Sequence, residues 1–400
     1  MSTATENIGR APGLLAGLPA ASLAAAAVGA ALLAGGALAL DQAYDWRRAA
    51  QLALGAALGL TLYHAAFGFT AAWRRFIVER RGDGLRAQML MLAIAVALFF
   101  PVLAEGTLFG RQVGGFVNPA STAVMIGAFV FGIGMQLGGA CASGTLFTAG
   151  GGNARMVVTL AFFIVGSVVA TAHLPWWRTL PSLGPVSLLR AAGWPAALAA
   201  NLAVFAAIAI VTRWLEKRRH GSVARPPQPA RRGLGRLLQG PWPLLLGAVL
   251  LALLNFATLA LTGRPWGITS AFALWGAQLF DAVGIPVRDW PYWANQAGRI
   301  DAGPFADTTS VMNFGIIVGA FMAAGLAGRF APSLRIPARS LAAAVLGGLM
   351  LGYGARLAYG CNIGAYFSGL ASGSLHGWVW LVAAFAGNAV GVRLRPWFRL

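Results

Sequence analysis

Apolar residues run along this 400-residue chain in long blocks, separated by short polar or glycine-marked interruptions. A helix needs about twenty apolar residues to cross a bilayer. Blocks of that kind fall at 14–40, 49–66, 86–104, 119–140, 155–174, 193–213, 241–262, 309–328, 339–360 and 375–393. Four shorter helical pieces remain, at 69–79, 142–150, 268–281 and 362–371. Each is too short to cross and each follows a glycine-marked break. Such pieces predict half-helices inside the bilayer, where irregular backbone is tolerated only against protein or a polar cavity. The expected fold is an all-α polytopic membrane protein with about ten transmembrane helices and four re-entrant half-helices. The apolar run Ala11–Leu40 is longer than the roughly 7–15 residues of a signal-peptide core, so it reads as a retained first span.

The pattern occurs twice. Gly127–Phe147 and Gly347–Phe367, 220 residues apart, match at Gly127/Gly347, Gly132/Gly352, Gly134/Gly354, Leu137/Leu357, Cys141/Cys361, Gly144/Gly364 and Phe147/Phe367. The two cysteines of the chain therefore share one repeat position. Upstream, Phe67–Trp73 echoes Trp266–Phe272 at a spacing of 199, which leaves 21 extra residues in the second half, placed in the polar stretch Val283–Asp307. Duplication with divergence is common in membrane transporters. The repeats sit five spans apart, an odd number, so they are inverted in the membrane. On this reading residues 1–48 are an extra N-terminal helix, 49–174 the first repeat, 175–240 a further helix with a linker, and 241–400 the second repeat.

Composition agrees: 58% apolar and 10% charged residues exclude an ordinary soluble core of this size. The net charge of +19 does not form a nucleic-acid face, because the basic residues stand in short clusters between apolar runs. Those clusters are topology signals. Lys217, Arg218, Arg219, Arg225, Arg231, Arg232 and Arg236, with Pro226, Pro227 and Pro229, mark a cytoplasmic disordered linker. Arg74, Arg75, Arg80, Arg81, Arg86, Arg155, Arg329, Arg335, Arg339, Arg393, Arg395 and Arg399 then also fall on the cytoplasmic side, as do both termini. Arg47, Arg48, Arg288 and Arg299 are exceptions. The four scattered histidines, His64, His173, His220 and His376, suit packing or interfacial roles, and the tryptophans, including Trp176, Trp177, Trp290 and Trp293, suit interfacial anchoring. No metal site or cofactor motif is seen; Gly150–Asn153 lacks the rest of a phosphate loop.

The two breaks carry the candidate chemistry. Glycines before each cysteine let the backbone turn, and the half-helix that follows presents unpaired N–H groups and a positive dipole end, capped by Ser143 or Asn362, with Gly144 and Gly364 alongside. Thr70 and Thr269 offer the same arrangement at the other two half-helices. Four positive ends imply an anion. A polarizable thiol suits a soft sulfur or selenium atom better than a hydroxyl does, although small buried cysteines also serve as plain packing. Gln136 and Arg356 hold one repeat position, five residues before each cysteine; an arginine inside a span is a functional candidate unless it snorkels to the surface.

The motifs Phe131–Gly144, Gly352–Trp378 and Trp266–Gln278 resemble those of the YeeE/YedE family of sulfur-compound transporters, over most of residues 49–393. The first span and the central linker stand outside the resemblance as additions. It implies an hourglass of spanning and half-length helices in the bacterial inner membrane, uptake of thiosulfate past cysteines at a narrow waist, and a small cytoplasmic sulfur-carrier protein as partner. A branch of the family is associated with selenium metabolism. Cys141 and Cys361 match the repeat cysteines. The thiosulfate transporters carry a further cysteine near the first half-helix, where His64–Thr70 holds none. The expected function is therefore a permease for a small sulfur-containing anion, with no enzymatic activity. Transport of a selenium compound, covalent sulfur transfer on Cys141 and Cys361, and a passive anion channel are the alternatives.

Overall fold

A computed structural model describes residues 19–224, 233–332 and 334–400. The linker positions Arg225, Pro226, Pro227, Pro229, Arg231 and Arg232 lie outside the described residues, as do the first residues of the 14–40 span. The helices, in order, are α1 Ala20–Ala43, α2 Trp46–His64, α3 Phe69–Glu79, α4 Asp83–Glu105, α5 Thr122–Gly138, α6 Ala142–Gly150, α7 Ala154–Trp177, α8 Leu188–Ala192, α9 Trp194–His220 and α10 Gly233–Gln239. They continue with α11 Leu244–Thr262, α12 Thr269–Ala282, α13 Ala297–Asp301, α14 Thr308–Leu326, α15 Ala338–Leu357, α16 Ser368–Ala371 and α17 Leu375–Leu394. Among the described residues, ten candidate spans are long and apolar enough to cross a bilayer. The short pieces α3, α6, α12 and the turn Asn362–Phe367 with α16 stand where the sequence places half-helices. The protein is an all-α polytopic membrane protein.

The helices begin and end where local chemistry dictates. Asp45, Ser121, Asn153 and Asp307 each accept a backbone N–H three residues on, capping α2, α5, α7 and α14. Gly139 ends α5 with φ +93°, a conformation that favours glycine, and so frees the chain to turn before Cys141.

The packing is two-fold. α7 lies on α15 as α17 lies on α5; α2 lies on α14 as α11 lies on α4; α5 and α15 cross each other at the centre. Each half thus wraps around the other. Repeat-equivalent glycines make the crossings: a methyl group on Gly132 would run into the Ala384 carbonyl of α17, and one on Gly352 into the Phe163 carbonyl of α7. α1 packs on α14 and α9 packs on α4, so the two helices outside the matched motifs also take equivalent places. Each half then has five spans, and an odd number of crossings separates every helix from its counterpart. The counterparts run in opposite directions.

The insertion lies where the repeat spacing puts it, between α12 and α14, as short 3₁₀ turns around α13. It also accounts for three of the four exceptions to the charge pattern. Arg288 pairs with Asp281 at 2.7 Å and Asp301 at 2.8 Å, Arg299 pairs with Asp307 at 3.2 Å, and Arg48 donates to Thr308 Oγ1 and to the Ala306 carbonyl. Arg47 lies over the Trp46 ring. These cations are locally partnered rather than topological.

Tryptophan use differs from the interfacial expectation. Trp73, Trp266, Trp293 and Trp380 are fully buried, because the half-helices create interior that their rings fill; Trp293 Nε1 donates to Thr171 Oγ1 at 3.0 Å.

Candidate functional site

The cysteine half-helix of the first repeat, α6, starts at Cys141, its N-cap, without a side-chain capping bond. Thr145 N–H and Oγ1 both donate to the Cys141 carbonyl, at 2.7 and 2.8 Å, winding the first turn. Its counterpart opens wider: Ala365 and Tyr366 N–H both reach the Cys361 carbonyl, at 2.9 and 3.3 Å, and Asn362–Phe367 is a π turn. The Ile363 N–H donates to Cys361 Sγ at 3.4 Å. The expected caps, Ser143 and Asn362, are therefore replaced by the cysteines themselves, because the break ends two residues before the hydroxyl and one before the amide. Ser143 Oγ instead lies 3.4 Å from Cys141 Sγ, and both polar atoms of Asn362 are buried without a partner.

The two breaks meet. α6 touches the Asn362–Phe367 turn, and both cysteines belong to one buried cluster. Gly364 is buried, yet a methyl group there would meet nothing within 4 Å; Gly144 by contrast faces Ala140 Cβ at 2.9 Å and Cys141 Sγ at 3.6 Å. Interior space therefore opens beside Cys361. Orphaned buried polar groups are rare in folded proteins, and several stand near this centre: both Asn362 atoms, Tyr366 Oη and Trp380 Nε1. The Tyr366 and Trp380 rings stack at 6.1 Å, with Trp73 against both.

Gln136 and Thr70 come together as well. Gln136 Nε2 donates to the Thr70 carbonyl at 3.3 Å and to Asn388 Oδ1 at 2.9 Å, while Asn388 Nδ2 donates to the Gly132 carbonyl at 3.4 Å. Gln136 Oε1 and Thr70 Oγ1 are buried without partners. Both residues line a cavity of about 310 Å³ that runs from the face holding Leu400 toward Gly139 and Ala140, next to Cys141.

Thr269 and Arg356 stand elsewhere. Gly68 and Ile268, not threonines, precede α3 and α12 as N-caps, with no side-chain cap, so Thr70 and Thr269 sit inside the first turn. Asn313 Nδ2 holds the break before Thr269 through the Ile268 carbonyl at 3.0 Å. Arg356 reaches out to the insertion, donating from Nη1 to Tyr292 Oη at 3.1 Å. Asn388, Tyr366 and Trp380 join the centre without having been singled out in the sequence; a lone Asn inside an apolar span is the signal that marks Asn388. The described residues hold no group of three or more His, Cys, Asp or Glu side chains placed for a metal.

Inverted halves, broken helices and unpaired polar groups at their meeting point are features of membrane transporters. The chain belongs to the family described as Sulphur transport, whose model matches residues 64–390. It is similar to the Probable transporter YedE of Escherichia coli (strain K12), 34% identical over 164 residues, 40% of this chain and 39% of that protein. The match thus spans about two fifths of that relative. Two Thiosulfate transporters TsuA match more of the chain. That of Spirochaeta thermophila is 25% identical over 369 residues, 84% of this chain and 96% of the relative. That of Escherichia coli (strain K12) is 26% identical over 351 residues, 84% and 91% respectively.

Proposed function

We propose that this protein is an inner-membrane permease for a small sulfur-containing anion, thiosulfate first, which passes between Cys141 and Cys361. The observation that carries the reading is the open space at buried Gly364, beside one thiol and the unpartnered Asn362 amide, where two half-helix N-termini meet. Helix N-termini stabilise negative charge and the thiols favour a soft atom, so the pair suits an ion with an anionic oxygen end and a sulfur end. The two TsuA relatives, matched over most of their length, support the same substrate. The charge pattern supports a cytoplasmic position for both termini and for the Arg74, Arg155 and Arg395 face. A sulfur-carrier protein on that side would consume the ion and draw it inward.

Covalent sulfur transfer fits less well. A nucleophilic thiol needs a base or a stabilising cation, and the side-chain partner of Cys141 is the Ser143 hydroxyl. The test is uptake of sulfur-35-labelled thiosulfate by a transport-deficient cell expressing the native chain, Cys141→Ala or Cys361→Ala. Loss in both variants at unchanged membrane levels is expected. Undiminished uptake would remove the thiols from the route, and no uptake by the native chain would overturn thiosulfate as the substrate and bring selenium oxyanions next.

A further inference from the structure

Beyond the thiol pair, the cavity that leads away from Cys141 carries its own charge. Arg74, Arg155 and Arg395 all line it, and among the described residues no acidic side chain does. Their settings differ. Arg155 donates to the Leu137 and Gly138 carbonyls at 2.6 and 2.8 Å, and Arg395 to the Gln136 carbonyl at 3.0 Å, so both guanidiniums are pinned at the exposed carbonyl end of α5. Arg74, one turn along α3 from Thr70, points its charge at the same space without an ion pair among the described residues. A neighbouring cavity of about 400 Å³ shares Thr148, Asn153 and Arg155 and adds Arg335. Deeper in, the unpartnered Thr70 hydroxyl and Gln136 amide oxygen complete the lining.

The geometry points to a second anion station here, a vestibule for tetrahedral divalent oxyanions formed by Arg74, Arg155, Arg395 and Thr70. It rests on the transport reading for its role, as the place an ion occupies after leaving the thiols, but its chemistry is separate. It offers guanidinium and hydroxyl donors and no thiol, so sulfate and thiosulfate bind it alike, whereas the waist distinguishes them. Like charges converging on a low-dielectric cleft raise the local concentration of counter-ions, commonly by about tenfold or more.

The test places a reporter at Ala71, an exposed cavity residue, as Ala71→Cys in the full chain; Cys141 and Cys361 are at most 1% exposed and give little background. The rate of alkylation by a sulfonated maleimide is compared with that by neutral N-ethylmaleimide in purified protein. The anionic reagent is expected to lose its advantage by about fivefold when Arg74→Gln is added. Inorganic sulfate is expected to slow labelling more than chloride does at equal ionic strength. An unchanged ratio in Arg74→Gln, or equal effects of sulfate and chloride, would overturn the station and leave the arginines as helix caps. Arg395→Gln serves as a second variant, and Arg74→Gln removes no hydrogen bond that the fold uses. Protection by sulfate that persists while thiosulfate uptake fails would sink the transport reading alone; normal uptake without protection would sink the vestibule alone.

Discussion

Gln136 and Arg356 hold the same place in the two halves and meet opposite surroundings. Gln136 is fully buried and ties the first turn of α3 to Asn388 of α17. Arg356 leaves the centre and lies 5.3 Å over the Tyr292 ring in the insertion. The duplication therefore diverged at a position next to the site, and the insertion supplies what the arginine needs.

Removing that contact is expected to loosen the insertion. Tyr292→Phe forfeits the hydroxyl acceptor and is expected to cost about 1 kcal/mol. Arg356→Gln, which restores the residue of the first half, also forfeits the cation over the ring and is expected to cost more. Limited proteolysis within 283–307, alongside thermal melting in detergent, checks the order; equal sensitivity of both variants and the native chain would show that the contact does not hold the segment.

The glycines at the crossings make a paired prediction. Gly132→Ala and Gly352→Ala each drive a methyl group into a carbonyl of the facing helix, and overpacking of this kind costs about 1–3 kcal/mol. Because the two crossings are equivalent, the two variants are expected to melt at similarly lowered temperatures. A large loss in one and none in the other would show that the halves do not share the packing load.

Gly364 is expected to behave in the opposite way. Space is free for a side chain there, so Gly364→Ala is expected to fold as the native chain does while narrowing the route beside Cys361. Gly364→Leu is expected to fill it and to lower thiosulfate uptake by about tenfold or more. Full uptake by a folded Gly364→Leu protein would mean that the ion does not pass this point.

Glu216, fully buried near the end of α9, joins that helix to the turn between α3 and α4. Its carboxylate pairs with Arg86 at 2.7 Å and Arg81 at 3.2 Å and accepts from the Gly82 and Ala224 N–H groups. Glu216→Gln leaves two half-buried arginines uncompensated, with an expected cost of about 2 kcal/mol. High salt is expected to weaken the native protein less than this substitution does.

The insertion also carries a pH dependence. Hydrogen bonding to Arg288 holds the Asp281 carboxyl below its ordinary value of 3.8. The folded form therefore binds this proton less readily than the unfolded one, and the pair contributes stability that is present above 3.8 and is lost as the pH falls through the depressed value. Proteolysis of 283–307 is expected to quicken at strongly acid pH in the native chain and to be already fast near neutrality in Asp281→Asn. The same rate for Asp281→Asn and the native chain at neutral pH would remove the ion pair from the account.

The sequence by itself determined the spans, the four half-helices, the position of the insertion and the inverted duplication, because each is written locally: twenty apolar residues, a glycine before a break, a motif repeated at fixed distance. It also paired Cys141 with Cys361, since equivalent positions of an inverted repeat are brought to the axis that relates them. Side-chain partners were another matter. Ser143 and Asn362 look like caps by residue type, but whether they or the cysteines take that place depends on where the chain turns, to within one or two residues. Arg356 reads as a buried charge until Tyr292, 64 residues away, is seen to receive it. Arg155 and Arg395 read as membrane-face signals, and only the meeting of α5, α7 and α17 shows that they grip one helix end and line one cavity. Hydrophobic periodicity fixes which face of a helix is covered; which atom covers it is settled by long-range packing, where a shift of one or two residues exchanges a thiol for an amide or a hydroxyl.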